Sequence, residues 1–340
     1  MTTLYFAGGE DTSFTNIGGI WSLSTSSEYF RNGFARAAFE SYGTNYTTST
    51  PAAYLASPQF GPLSSFWVHA RCFVDSSATV SNAIHMALLD SSGYMRIAVR
   101  GTGTNGQLKI STCNTSGTFT DLVTSASNTF TANTSGEPMT LDLFCDYSTT
   151  GQCTLYLNGV NIADTGASVN VTTNSVTQLS QLYLMSCMSF THAAWSECII
   201  QDTSTLGMAL VTIPPLASGN TQSWSGAVGD VDEAVINDAN FIYTASDNEL
   251  SEWTVSTSLP SGSWTIAAVV QEARVSAGST GPQHFEWLVR TTDGTDHVTG
   301  SVSPPVGVPG NSSNIWTQNP HTGDAWNAGE LINAGIESLA

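Results

Sequence analysis

The chain has 340 residues, enough for about two domains. It carries 27 Asp and Glu against 8 Lys and Arg, a formal charge of −19, and Lys109 is its single lysine. Phosphate backbones would repel so acidic a surface, and anionic membrane surfaces match it poorly, so nucleic-acid binding and electrostatic membrane attachment are excluded as expectations. At 41 % hydrophobic and 10 % aromatic it can still bury sizeable cores. The polar remainder, rich in Ser, Thr, Asn and Gly, suits strands and turns better than helices.

The opening Met1-Thr2-Thr3-Leu4-Tyr5-Phe6-Ala7-Gly8-Gly9-Glu10-Asp11 has no basic segment and no apolar stretch of signal-peptide length, and no run approaches 18 apolar residues. A surface-type composition without an export signal is expected of a protein assembled in a host cytoplasm and released by lysis, as virion proteins are. A non-classical export route or a trimmed signal would give the same pattern.

Through the first 200 residues short alternating runs recur, among them Phe66 to Val74, Met95 to Val99 and Leu108 to Ile110. Turn clusters such as Asp90-Ser91-Ser92-Gly93 and Gly101 to Gly106 separate them. Strands at this spacing with one apolar face predict a sandwich or barrel. In Leu141 to Tyr147 and Cys153 to Ala163, Leu141, Leu143 and Cys145 share one face of a strand, as do Cys153, Leu155 and Leu157. The register that keeps both sets in the core places Cys145 beside Cys153. Asn158-Gly159 predicts a type I′ turn.

All six cysteines, Cys72, Cys113, Cys145, Cys153, Cys187 and Cys198, fall in this half. Three bridges would allow fifteen connectivities. A virion protein folds in a reducing cytosol, which favours buried thiols. If any pair bridges, Cys145 and Cys153 are the candidates.

Residues 1–204 hold 13 acids and 6 bases, residues 205–340 hold 14 and 2. This shift sets the expected domain boundary at 204/205. Beyond it, Gly207 to Ile213, Trp253 to Ser256, Trp264 to Val270 and Phe285 to Arg290 again read as strands. Asn327 and Glu330 fit a capping box before Leu331-Ile332, and Gly335 suits a left-handed position followed by the apolar Ile336, so one short helix is expected near 328–334. The expected fold class is all-β: a jelly-roll sandwich followed by a second sandwich-like β domain with that single helix.

Two resemblances sharpen this. The hairpin Leu155-Tyr156-Leu157-Asn158-Gly159-Val160-Asn161-Ile162-Ala163-Asp164-Thr165-Gly166 resembles the strand–Asn-Gly–strand hairpin of the laminin-G and concanavalin A-like sandwich family. Ala87 to Asp90 with Arg96 to Val99 is similar to that family's middle strands, and Ala194 to Asp202 to its last core strand. This covers roughly residues 1–203 and implies two curved antiparallel sheets. In the second half, Leu206-Gly207-Met208, Gly229-Asp230-Val231-Asp232-Glu233-Ala234, Leu259-Pro260 leading into Ala267 to Gln271, and Asn319-Pro320-His321-Thr322-Gly323-Asp324-Ala325-Trp326 resemble a module of tailed-phage structural proteins. There an Asn-Pro-x-Thr-Gly-x-x-Trp stretch precedes a short C-terminal helix. The module implies a virion surface component of tail or capsid. A further basic residue usual near Arg274 is absent, which leaves an ionic subunit contact there unsupported.

Motifs for chemistry are largely missing. There is no Gly-x-Ser-x-Gly elbow, no P-loop, no His-Glu-x-x-His pair among His69, His85, His192, His284, His297 and His321, and no Cys-x-x-Cys. The Glu-x-Asp-x-Glu strand of some concanavalin A-like glycan-cleaving enzymes is also absent. The chain is therefore expected not to be an enzyme and to need no cofactor. Asp230, Asp232 and Asp238 on an acidic stretch are the candidate calcium ligands, although the EF-hand spacing and glycine are missing and a solvated, charged loop is the favoured reading of the run. Of the aromatic residues, most tryptophans are expected in the core, while Tyr42, Tyr46 and Tyr54, in a Thr- and Ser-rich segment, are the candidate ligand contacts.

The leading expectation is a structural protein on the surface of a tailed-phage virion, a tail fibre, spike or capsid decoration, whose sandwich faces outward and touches host surface glycans while residues 205–340 anchor it. Its partners would be copies of itself, in a homo-oligomer, and other virion proteins. The alternatives are a secreted glycan-binding adhesin or lectin, and a glycan-cleaving tail spike.

Overall fold

The structure is a computed structural model that describes residues 3–7, 15–17, 21–24, 38–42, 54–74, 81–130, 138–185, 192–211, 213–232, 239–256 and 264–340. The chain divides into two units, Met1–Leu210 and Val211–Ala340. The break lies a few residues beyond the composition boundary. Thr205 belongs to the first unit because its hydroxyl donates to the buried Asp142 carboxylate at 2.6 Å. Met208 belongs there too, with its sulfur 3.3 Å from Gln201 Nε2.

Fifteen strands of the first unit are described: β1 (Thr3–Ala7), β2 (Thr15–Ile17), β3 (Trp21–Ser24), β4 (Ala38–Tyr42), β5 (Tyr54–Ala56), β6 (Ser65–Val74), β7 (Ile84–Leu89), β8 (Met95–Gly101), β9 (Leu108–Cys113), β10 (Phe119–Thr124), β11 (Met139–Asp146), β12 (Gln152–Leu157), β13 (Val160–Asp164), β14 (Gln181–Met185) and β15 (His192–Gln201). They form two antiparallel sheets. One runs β13-β12-β11-β6-β15-β4-β3, with β1 also on β15; the other runs β10-β9-β8-β7-β14-β5-β2. The core lies between them. Phe66, Val68 and Ala70 of β6 and Leu141, Leu143 and Cys145 of β11 meet Met86, Leu88, Ile97, Val99, Leu108 and Ile110 from the facing sheet.

The expected register holds. β11 pairs β12 without a shift, from Leu141 opposite Leu157 to Asp146 opposite Gln152. Cys145 therefore faces Cys153, their sulfurs 3.6 Å apart, and both are buried free thiols rather than the bridge considered for them. The hydrogen bond with Cys153, then burial, pushes the Cys145 thiol well above its ordinary range. Asn158 and Gly159 take φ of 50° and 77°, as the type I′ turn requires.

His85 is the odd member of this core. It stands edge-on to Phe130 with ring centroids 5.4 Å apart, and neither ring nitrogen has a partner among the described residues. Burial lowers its pKa from 6.5 to about 3.

The second unit contains β16 (Pro215–Gln222), β17 (Leu250–Val255), β18 (Val269–Val275), β19 (His284–Thr291), β20 (Asp296–Val298), β21 (Gly310–Trp316) and β22 (Leu331–Leu339), with one 3₁₀ turn at Val228–Asp230. Five strands run β16-β17-β22-β19-β20, and β18 pairs β21. Trp253, Phe285, Trp287 and Ile336 form one buried cluster; Val255, Val289, Trp326 and Leu331 form another.

The short helix expected near 328–334 is replaced by β22. Half of the capping box is made: Asn327 N donates to the Glu330 carboxylate at 2.8 Å, while the Asn327 side chain donates Nδ2 to the same group at 2.9 Å and Glu330 N donates to the Asn327 backbone carbonyl at 3.3 Å. They close a turn, however, and the chain leaves it extended. β22 is hydrogen-bonded on one side to β17 and on the other to β19, so tertiary pairing satisfies its backbone on both edges and overrides the local signal. Gly335 serves a close approach rather than a left-handed cap. A Cβ there would sit 2.7 Å from the Ser251 carbonyl oxygen and 3.2 Å from Glu252 Cα.

Two outcomes follow from these packings. Gly335→Ala should destabilise the second unit by about 1–3 kcal/mol, read by chemical denaturation, because backbone must move to admit the methyl group. Gly335→Asn should cost at least as much; a helix cap would tolerate Asn, so a mild Gly335→Asn alongside a damaging Gly335→Ala would contradict the strand. For His85, the unfolded chain takes up a proton near pH 6.5 while the folded one resists until about 3. Its contribution is thus intact above 6.5 and is lost as pH falls across that window, at roughly 1.4 kcal/mol per pH unit. Thermal melts between pH 7 and 4 should show a shallower decline for His85→Leu than for the natural chain; parallel curves would contradict it.

Candidate functional site

On the outer face of β7 and β8, Ala87 and Ala98 are small residues set among larger ones, Ile84, Leu89, Arg96 and Arg100. Register carries one row straight across the sheet: Tyr183 of β14 lies opposite Ala87, Ala87 opposite Ala98, Ala98 opposite Ser111 and Ser111 opposite Asp121. Ala87, Ala98 and Ser111 are buried and form a small-residue floor. Larger groups stand at both ends, so the row is a trough in side-chain size alone: its floor, at most 1 % exposed, is covered by packed neighbours that include Ile84, Leu89, Met185 and Tyr183.

One end is aromatic. Tyr54 of β5 stacks on Tyr183 with centroids 4.0 Å apart and planes 19° from parallel. Burial, with the Tyr54 hydroxyl as hydrogen-bond partner, pushes the Tyr183 phenol above its ordinary range. Leu89 and Met185 border the pair. The other end is charged. Arg100 and Lys109 are cross-strand neighbours. Arg100 Nη2 donates to Asn82 at 2.7 Å and Nη1 to Asp121 and Ser111, both at 3.3 Å, while its guanidinium lies 3.9 Å over the Phe119 ring. Lys109 donates to Asp121 at 2.8 Å. Burial lowers the Arg100 pKa against the opposing pull of Asp121. Burial also works to raise the Asp121 carboxyl, yet hydrogen bonds from Lys109 and Ser111 outweigh it and hold the group below its ordinary range. Two of the chain's eight basic residues thus sit on one face beside an aromatic pair.

Of the three tyrosines expected as ligand contacts, Tyr54 belongs to this trough. Tyr42 ends β4 opposite His192, but its side chain lies outside the described residues, as does all of Tyr46. Sequence reading missed Tyr183, Arg100, Lys109 and Asp121. Each sits on an alternating strand, but nothing local says which strands become neighbours.

The facing sheet carries a second aromatic group on its outer side, Trp67 with Phe144 at 5.1 Å and Tyr156 at 5.6 Å. Beside it lies a buried polar cluster: His69 Nδ1 is 2.8 Å from the same Asp142 oxygen that accepts from Thr205.

Two of the three calcium candidates fall within the described residues. Asp230 accepts from Ala227 N at 2.8 Å and so closes the 3₁₀ turn, Asp232 is exposed, and Asp238 lies outside the described residues. Metal-ligating side chains do converge elsewhere in the second unit, at Asp293, His297 and His321.

No protein-family model and no curated protein matches this sequence, so the resemblance of the second half to a phage module has no family match behind it. Solved structures do match. The chain is similar to an endo-β-1,4-glucuronan lyase from the fungus Trichoderma reesei, at 12 % identity and TM-score 0.43, over 59 % of this chain and 96 % of that one. It is similar to a carbohydrate esterase from the Shiga toxin-encoding bacteriophage phi24B, at 13 % identity and TM-score 0.38, over 60 % and 99 %. A third is the alginate lyase Aly36B in complex with alginate trisaccharide, at 9 % identity and TM-score 0.38, over 59 % and 99 %. The expectation that the chain is not an enzyme rested on absent linear motifs and is withdrawn. The physical reason is that linear motifs see only neighbours in sequence. His69, Asp142 and Thr205 meet here from three separate segments, and the trough draws on six strands.

Proposed function

We propose that the first unit is a glycan-contacting sandwich and that the sugar lies in the trough on the outer face of β5, β14, β7, β8, β9 and β10. One observation carries this reading. A floor of Ala87, Ala98 and Ser111 runs between the stacked Tyr54–Tyr183 pair and the Arg100–Lys109–Asp121 cluster. Sugar rings present apolar faces that stack on aromatic rings and hydroxyls that exchange hydrogen bonds with amide, hydroxyl and charged groups. The aromatic end and the polar end of the row offer both, with Tyr54, Tyr183, Lys109 and Asp121 at least partly exposed. Glycan-directed proteins are among the similar structures: a glucuronan lyase, a carbohydrate esterase and an alginate lyase.

We further propose that the chain works on the surface of a tailed-phage particle, as a homo-oligomer that anchors through its second unit and is assembled in the host cytoplasm. Support comes from the motif at residues 319–326, which the fold uses as a rigid element. Asn319 and Trp326 are buried, and Trp326 Nε1 donates to the Trp316 carbonyl at 2.9 Å.

A glycan array probed with the full chain tests the trough. Binding is expected, and Tyr54→Ala and Tyr183→Ala should each weaken the best hit at least tenfold with the melting transition retained. Trp67→Ala, on the other sheet, should leave binding unchanged. A blank array, or loss with Trp67→Ala and retention with both tyrosine variants, would overturn the assignment.

A further inference from the structure

We propose that Asp293, His297 and His321 of the second unit form a binding site for one divalent transition-metal ion of the zinc class. The three residues come from two loops and a strand. Asp293 lies in the turn after β19, where Gly294 takes φ of 78° and its N–H donates to the Thr291 carbonyl at 2.9 Å. His297 follows on β20. His321 arrives from the Asn319-Pro320-His321-Thr322-Gly323 loop.

Their donor atoms face one another. Asp293 Oδ2 is 3.0 Å from His321 Nδ1 and 3.6 Å from His297 Nε2, and all three ligand atoms lie within 4.8 Å of each other. A tetrahedral zinc ion with bonds of 2.0–2.1 Å spaces its ligands about 3.3 Å apart. Closure therefore asks for shifts of about 1 Å, which His321, 49 % exposed, can make by side-chain rotation.

Neighbouring groups hold the ligands in place. The other Asp293 oxygen, Oδ1, is already occupied by the Thr291 hydroxyl at 2.5 Å and by Thr295 N at 3.2 Å, which turns Oδ2 towards the imidazoles. The His321 loop is fixed by the buried Asn319. Its Oδ1 accepts from His321 N at 2.9 Å, its carbonyl accepts from Gly323 N at 2.8 Å, and its Nδ2 donates to Glu330 at 3.0 Å. The nearby cation, Arg290, is engaged by Asp296 at 2.7 Å and Glu252 at 3.1 Å.

The donor set selects the ion. Two imidazoles and one carboxylate suit zinc, cobalt or nickel, whereas calcium and magnesium take oxygen ligands. Three protein ligands on a partly exposed face leave the fourth position to water. This inference stands apart from the glycan reading, since it concerns the second unit alone.

The test uses the full chain, stripped with chelator and titrated with Co²⁺ and, separately, with Zn²⁺ in a calorimeter. One ion per chain is expected, with the visible bands of tetrahedral Co²⁺. His321→Ala and Asp293→Asn should abolish those bands and weaken Zn²⁺ binding at least tenfold. Asn at 293 can keep the contacts to Thr291 and Thr295, and unchanged melting would confirm an intact fold. His284→Gln, a histidine beside Ser303, should bind as the natural chain does. The proposal is overturned if the natural chain yields neither bands nor heat, or if His321→Ala and Asp293→Asn both bind Zn²⁺ as tightly as it does.

Discussion

The unbroken pairing of β11 with both its neighbours is the constraint on which the first unit depends. From Met139 opposite Cys72 to Asp146 opposite Ser65, β11 meets β6 with no bulge, and its pairing with β12 is equally regular. With a side-chain period of two, a slip by one residue would turn Leu141, Leu143 and Cys145 to solvent and Asp142 and Phe144 into the core. The hydrophobic cost of that exchange sets the register. The core so defined then orients the facing sheet: once Met86, Leu88, Ile97 and Val99 point inward, Ala87 and Ala98 must point outward and become the trough floor.

Electrostatics take second place to that constraint, but they decide where the few cations go. In a chain of net charge −19, basic side chains are drawn against carboxylates. Arg96 meets Asp90 at 2.6 Å, Arg71 meets the fully buried Glu197 at 3.1 Å, and Arg290 bridges Glu252 and Asp296. Buried pairs of this kind add little net stability, because desolvation offsets their attraction, but losing one partner strands the other. Arg71 and Glu197 link β6 to β15, and Arg290 and Glu252 link β19 to β17, whereas Arg96 and Asp90 close only the β7–β8 turn. Arg100 and Lys109 share Asp121, which leaves one positive charge at the end of the row away from the tyrosine pair.

What could be read from the sequence follows from the range of each interaction. The alternating strands, the Asn158-Gly159 turn and the juxtaposition of Cys145 with Cys153 are legible because period and turn chemistry are local. The helix at 328–334 misleads for the same reason. Asn327 N does donate to the Glu330 carboxylate, yet the chain beyond is claimed by β17 and β19, and no local pattern reports those partners. The site was half-legible. Tyr54 stood out for its polar surroundings, whereas Tyr183, Arg100 and Asp121 acquire meaning only from the strand order. Asp293, His297 and His321 show the limit most plainly: a one-turn spacing links the first two, and the third arrives from a distant loop.

The central claim is that sheet register builds a sugar-binding trough on one defined face of the first unit. A crystal structure of the full chain with the oligosaccharide it binds best tests this most directly. The account predicts a sugar ring stacked against the Tyr54–Tyr183 pair, with its hydroxyls within hydrogen-bond distance of Arg100, Lys109 or Asp121. A sugar seated on Trp67, Phe144 and Tyr156 of the opposite sheet, with the trough empty, would contradict it.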